Sequence, residues 1–475
     1  MYIIHPETTV HTHKSSPRLI HVFVSLFIAF LIATPALGQL ILNEDFKIMA
    51  AEGLEDDSFG TSIDIANNII VVGAPHQDAN GQNSGIAYLF DATTGTQITK
   101  LQSNDSSIGD RFGQRVAIND RFVVVTAPGD DFNIRFPSGS AYVFDIKTGS
   151  QIAKLVPSDI SDEYIFGSFG FSVAIYENII AVGQFSMADS EAVYLYDATT
   201  GNELAKLTPD DVSFMKNFGW SVAIDNGVVA VGSPTGSVDG IPTGSAYLFD
   251  ADLDSPTFGE QTAKLFAEDG RRSDGFGGSI AINDGIVAVG SSNNPGNGPA
   301  SGSVYLFDAS TAQQTATLFP DDGQPETHFG ASLAIENNLI AIGSVFWSDY
   351  PGSHDGTGYI YDLTTHKQLA KLELKNGSDN DRFTNSIAMD QGIVATGAYL
   401  GDGANPVSGA AYIFDINNAL CPADFTEDGT LDIADVFAFI QSINAQDPRA
   451  DFTNDSRWNY FDISAFLQSF LAGCP

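Results

Sequence analysis

The stretch FGTSIDIANNIIVVGAP, residues 59–75, decides the fold. TSIDIA (61–66) alternates polar and apolar, as a half-buried strand does. IIVVGAP (69–75) is a near-continuous apolar run, which suits a strand buried on both faces. Asn67-Asn68 lies between them, and asparagine tolerates the positive φ that a tight hairpin requires. A third strand, IAYLFD (86–91), and a fourth, TQITKL (96–101), follow, linked by Thr94-Gly95.

This unit recurs. Phe-Gly or its relic stands at Phe59-Gly60, Phe112-Gly113, Phe169-Gly170, Phe218-Gly219, Phe276-Gly277, Phe329-Gly330 and Phe383-Thr384. An aromatic-rich strand closed by aspartate ends at Asp91, Asp145, Asp197, Asp250, Asp308, Asp362 and Asp415 in the same order. Two-residue turns equivalent to Asn67-Asn68 are read at Asn119-Asp120, Glu177-Asn178, Asn226-Gly227, Asp284-Gly285, Asn337-Asn338 and Gln391-Gly392. Seven four-stranded units of about 50 residues predict a mainly β chain, a seven-bladed β-propeller of four-stranded blades.

The ends predict how the ring closes. The fourth strand carries Lys-Leu at Lys100-Leu101, Lys154-Leu155, Lys206-Leu207, Lys264-Leu265 and Lys371-Leu372, but none follows Asp415. Lys47 precedes Phe59 by 12 residues, the spacing that separates Lys100, Lys206, Lys264 and Lys371 from their own phenylalanines. The N-terminal strand is therefore expected to complete the seventh blade, hiding edges that would otherwise template aggregation.

Composition agrees. The 475 residues include 46 glycines and 34 phenylalanines, are 43% hydrophobic, and carry 59 acidic against 21 basic side chains, a net charge of −38. Such a surface repels polyanions, which argues against nucleic acid as a partner. Lys14 and Arg18 precede an apolar run from Leu19 to Ala33, and Ala36-Leu37-Gly38 supplies small residues for cleavage before Gln39. Residues 1–38 read as a secretory signal, too short in their apolar part for a bilayer span of roughly 20 residues. No later stretch can span, so a secreted or cell-surface protein without a transmembrane segment after signal removal is expected.

The units resemble FG-GAP repeats, the blades of the integrin α-subunit propeller, and particularly the bacterial variety in which GSAYLFD (Gly244–Asp250) closes each unit. The resemblance covers roughly residues 45–418. It implies extracellular adhesion or ligand binding, with an extracellular protein or glycan as ligand. Many such blades carry a DxDxDG calcium loop between neighbouring strands. Here that connection is a two-residue turn, a departure that argues against calcium in the blades.

The propeller is assigned to residues 39–418. Its blade-to-blade loops are acidic, as at Asp56-Asp57, Asp210-Asp211 and Asp321-Asp322, giving one face an acidic ring that reads first as solvation. The loop after the second strand of blade six carries Phe346, Trp347, Tyr350 and His354, a candidate ligand loop unless the rings pack over the blade edge. Trp220, just after an FG, is expected in the core. No G-x-S-x-G, H-E-x-x-H or phosphate-binding glycine loop occurs after the signal, so no catalytic residue is assigned. A non-catalytic binding protein is the leading reading. An extracellular carbohydrate-active enzyme with its site on the acidic face is the second, and a structural surface-layer component the third.

The composition changes at Cys421. Residues 423–443 repeat at 450–470, ADFTEDGTLDIADVFAFIQSI against ADFTNDSRWNYFDISAFLQSF. Asp424, Thr426, Asp428, Asp432 and Asp435 stand at positions 1, 3, 5, 9 and 12 of one loop; Asp451, Thr453, Asp455, Asn459 and Asp462 match them in the next. Oxygen ligands at these spacings suit Ca²⁺, with a backbone carbonyl from Thr430 or Arg457 at position 7. A helix should follow each loop, with Val436, Phe439, Ile440 and Ile443, then Ile463, Phe466, Leu467 and Phe470, on one face. These halves resemble the paired calcium loops of type I dockerins, relatives of EF-hands, which implies a small α-helical module over 421–475 that docks to a cohesin-like or surface partner. Cys421 and Cys474 flank it and, in an exported chain, are expected to form a disulfide worth at most about 4 kcal/mol.

Overall fold

A computed structural model of the chain describes residues 40–130, 138–159, 167–186, 191–211, 217–296, 298–345, 356–377, 381–403, 405–420, 423–426, 431–452 and 457–472. Outside them lie residues 1–39, with the signal segment, and the candidate loop Phe346, Trp347, Tyr350 and His354. Asp428, Thr430, Thr453, Asp455, Cys421 and Cys474 also lie outside. The chain divides into Met1–Leu40 and Ile41–Pro475, and of the first only Leu40 is described.

The first blade pairs Ile63–Ala66, Ile69–Ala74, Ile86–Asp91 and Gln97–Leu101 antiparallel in chain order. Its two middle strands are buried almost throughout, as their apolar runs require, while the fourth alternates. Six further sheets keep the same strand order. Each first strand lies against the first strand of the next blade, and Ser386–Asp390 lies against Ile63–Ala66. The first strands thus form a closed inner ring, and the protein is a seven-bladed propeller.

The clasp forms as expected. Phe46–Ile48 is the outer strand of the seventh sheet, antiparallel to Ala410–Asp415, with Lys47 opposite Tyr412. One strand was not foreseen: Leu40–Asn43 adds a fifth strand outside Lys367–Glu373 of blade six. The N-terminal segment therefore spans two adjacent blades.

The repeat signature has a packing cause. Each phenylalanine at the FG position packs against two aromatics of its own third strand, as Phe59 does edge-on to Tyr88 (5.7 Å) and Phe90 (5.8 Å). At four seams its backbone bridges to the glycine that opens the third strand of the preceding blade: Phe112 to Gly85, Phe276 to Gly244, Phe329 to Gly302, and Phe59 to Gly409 across the closure. A Cβ on Gly409 would stand 2.1 Å from the Phe59 carbonyl oxygen. One layer inward, a Cβ on Gly397 of the second strand would stand 2.0 Å from the Gly60 carbonyl oxygen. Blades approach backbone to backbone at these two points, where no side chain fits.

Turn chemistry follows. Asn67 and Asn68 adopt φ of 48° and 65°. The expected Asn119-Asp120 turn is instead a three-residue connection between Val116–Ile118 and Phe122–Ala127. There the Asn119 side chain accepts the N–H groups of Arg121 and Phe122, at 3.0 and 2.8 Å. The aspartate that closes each third strand caps the following turn: Asp91 Oδ1 accepts Thr94 N–H at 2.8 Å and Thr94 Oγ1–H at 2.9 Å. These bonds hold its carboxyl below the usual range.

The C-terminal residues form two helices, Ile433–Ala445 and Tyr460–Ala472, with a 3₁₀ turn at Pro448–Ala450 between them. Phe439 and Phe466 stack at 3.9 Å and are buried, with Phe425 and Phe452 around them. Val436, Ile443 and Phe470 are partly buried against this cluster. Ile440, Ile463 and Leu467, expected in the same core, are exposed, because two helices cannot cover a stripe that wide.

Gly409→Val should lower stability by more than about 1 kcal/mol, since it adds a clash to a φ of +88°. Denaturant unfolding checks this; a variant within error of the parent would remove the close approach from the account.

Candidate functional site

The acidic blade-to-blade loops are largely used inside the fold. The fourth-strand lysine of each blade but the fifth lies over its third-strand tyrosine: Lys47 over Tyr412, Lys100 over Tyr88, Lys154 over Tyr142, Lys206 over Tyr194, Lys264 over Tyr247 and Lys371 over Tyr359. Five of these ammonium groups pair with an acid of the loop leading into the same blade: Glu52 (2.5 Å), Asp105 (2.7 Å), Asp159 (2.5 Å), Asp211 (2.6 Å) and Asp322 (2.8 Å). Tyrosine hydroxyls donate to the same aspartates, as Tyr142 does to Asp105 and Tyr194 to Asp159. In blade five, where Thr317 replaces the lysine, Tyr305 still donates to Asp269 at 2.8 Å. The signal was in the sequence: three residue types at fixed spacing in most copies.

A second set of acids caps loops. Asp57, Asp110 and Asp274, each two residues before an FG, are buried and accept backbone N–H from Leu54, Ser107 and Arg271. Burial pushes all three carboxyls up.

A third set lies at one end of the inner strands and staples four of the blades to the next. Asp64 accepts Ile118 N–H (2.8 Å), Asp225 accepts Asp284 N–H (2.8 Å), and Asp390 accepts Asn67 N–H (2.7 Å). Glu336 accepts N–H from Gln391 and Gly392. Desolvation pushes Asp64 up to about 7, with the Asp390 charge adding, and burial raises Asp225 and Asp390 as well.

The opposite end of the inner ring differs. The residue after each FG lies where an inner strand begins. In blades three and four these are Phe171 and Trp220, whose rings are 4.6 Å apart. Phe185 completes a triad, 5.5 Å from Phe171 and 6.2 Å from Trp220. Trp220 is 37% exposed, so the expectation that it lies in the core is wrong. The Arg115 guanidinium of blade two stands over Phe171 at 5.9 Å.

Of the candidate calcium ligands, Asp435 and Asp462 are fully buried, and Asp424, Thr426, Asp432, Asp451, Arg457 and Asn459 are also described. Thr426 Oγ1 lies 2.9 Å from Asp435 Oδ1 and 3.3 Å from Asp424 Oδ1, so positions 1, 3 and 12 of the first loop converge. Asp432 and Asn459 cap the two helices by accepting N–H from Ala434 and Phe461. Asp435 and Asp462 in turn accept the backbone N–H of Asp432 and Asn459, a matching arrangement in the two halves. Converging carboxylate and hydroxyl oxygens fit a hard cation.

A closed ring of seven four-stranded sheets, one of them extended by a fifth strand, defines a repeat β-propeller. The chain belongs to the FG-GAP repeat family, whose profile matches residues 42–90, 96–144, 202–249, 260–307, 312–361 and 366–414, more than half of its length. The match passes over residues 145–201, which contain Phe171 and Phe185. No curated protein matches the chain. Among solved structures it resembles the computationally designed Ika8 protein, at 17% identity over 80% of this chain and 99% of that one, with a TM-score of 0.45. No helix among the described residues is long and apolar enough to cross a membrane.

Two outcomes follow. Lys154 bridges Asp105 and the buried Asp130 (2.6 Å), whereas Lys100 meets a Glu52 side chain that is 73% exposed. Lys154→Met should cost about 1–3 kcal/mol in chemical unfolding and Lys100→Met under about 1 kcal/mol; equal losses would contradict this. Asp64 binds its proton at higher pH folded than unfolded, so stability falls as pH rises from about 4 to about 7. Asp64→Asn should flatten part of that fall, and an unchanged pH profile would refute the assignment.

Proposed function

We propose that the protein is an exported, non-catalytic binding protein whose propeller presents the ligand surface and whose C-terminal module uses Ca²⁺ to fold and to dock. The observation that carries the non-catalytic reading is the occupation of the acidic loops. Their carboxylates are tied to lysine, tyrosine and backbone N–H groups instead of being poised as an acid and a base. Membership of the FG-GAP repeat family supports a binding or adhesion role for the ring.

For the module, Asp424, Thr426, Asp428, Asp432 and Asp435 would hold one calcium ion and Asp451, Thr453, Asp455, Asn459 and Asp462 a second, with carbonyls of Thr430 and Arg457. The ion would neutralise carboxylates that otherwise repel one another around a core of a few phenylalanines. A Cys421–Cys474 disulfide would add its loop-closure term. Ile433, Phe437 and Ile440 on one helix, and Tyr460, Phe461, Leu467 and Leu471 on the other, are exposed, which supports docking to a protein partner.

Chelation of the full-length protein should abolish the helical signal of residues 421–475 while the propeller stays folded, read as two separate transitions by calorimetry and circular dichroism. Asp435→Ala should remove the calcium dependence of the first transition. A single transition unaffected by chelator would contradict the module. Release of sugar product from a polysaccharide would favour the carbohydrate-active reading instead.

A further inference from the structure

Six blades carry serine two residues after the FG glycine, and five of these donate to the carbonyl of the next FG pair: Ser172 to Gly219, Ser221 to Gly277, Ser279 to Gly330, Ser332 to Thr384 and Ser386 to Gly60. In blade two that position is Arg115. Thr126 likewise stands where the first blade has Gly73, and its Oγ1 accepts Arg115 N–H at 3.1 Å. The staple between blades two and three is thus replaced by a cation.

That cation is poorly compensated. Arg115 Nη1 donates to the carbonyl of its own neighbour Gln114 at 2.9 Å, and among the described residues no carboxylate pairs with it. Burial lowers its pKa without threatening its charge. In a chain with 59 acids, a half-buried guanidinium that no acid pairs with is a ready partner for an anion arriving from outside. Beside it stand the half-buried Phe171 and Phe185 and the exposed Trp220, from the unit that departs from the family pattern and its neighbour. The nearby Glu191 is engaged by Asn217 and Phe218 N–H at 2.9 and 3.0 Å.

We propose that Arg115, Phe171, Phe185 and Trp220 form a binding site for a saccharide chain ending in a uronic acid. The guanidinium fork matches a carboxylate bidentately. The electron-rich ring faces accept the C–H face of a pyranose. The acidic remainder of the surface repels a polyanion, so the ligand is a neutral chain with one terminal carboxylate. This rests on the binding role proposed above and names its ligand class.

The test uses the full-length protein and two tetrasaccharides identical except for a terminal glucuronic acid or glucose, followed by calorimetry and tryptophan fluorescence. The uronate-ended sugar should bind roughly tenfold or more tightly than its neutral counterpart. Arg115→Gln should abolish that preference, and Trp220→Ala should weaken both sugars, with Trp220→Phe retaining part of the affinity and the fold. Equal affinity for both sugars, binding of neither, or a preference that survives Arg115→Gln would overturn the site. Capture of an acidic peptide with no sugar binding would overturn the saccharide assignment while sparing the binding role. Cleavage of the bound sugar would overturn the non-catalytic role while sparing the site.

Discussion

Blade-to-blade contact at glycine is the constraint on which the molecule depends. A side chain at Gly397 or Gly409 would meet the neighbouring backbone well inside van der Waals contact, so the seam that closes the ring forms where the chain offers bare Cα atoms. The phenylalanine of each FG then fills the space above its own third strand, and carboxylates staple four of the blades to the next. Because the interface is made of backbone, it tolerates wide variation elsewhere. Even the seventh copy, with Thr384 at a φ of 64° in place of glycine, keeps Phe383 fully buried.

Charge is organised around this ring. Far from forming an unoccupied acidic collar, the blade-to-blade loops spend much of their negative charge on lysines that lie over tyrosine rings. The arrangement makes each loop part of the blade it leads into. It also isolates Arg115, a half-buried cation that joins no such staple, beside the aromatic triad at the opposite end of the axis from Asp64.

Most of the architecture was legible because its causes are local. Positive φ at Asn67, Asn226 and Gln391 and the aspartate-capped turns leave fixed marks in sequence, and the displaced Lys47-Ile48 revealed the clasp by register alone. What escaped notice depends on long-range placement. Leu40–Asn43 is too short to announce a strand, and its pairing with Lys367–Glu373 joins residues far apart in the chain. Trp220 read as core because FG neighbours usually are, yet its position is the rim of the inner ring. The helical stripes of the last 55 residues marked the buried Phe439 and Phe466, but periodicity cannot say how wide a stripe its partner covers, and Ile440 and Leu467 face outward. Arg115 was visible as the one exception to a serine column, a signal that means little until the column is seen bonding the next blade.

Amide hydrogen exchange of the N-terminal clasp tests the ring most directly. If Phe46–Ile48 closes the seventh blade, its amides exchange as slowly as those of its partner Ala410–Asp415, because opening one opens the circle. Rapid exchange at Phe46–Ile48, typical of a frayed terminus, beside slow exchange at Ala410–Asp415 would show that the circle is held without it.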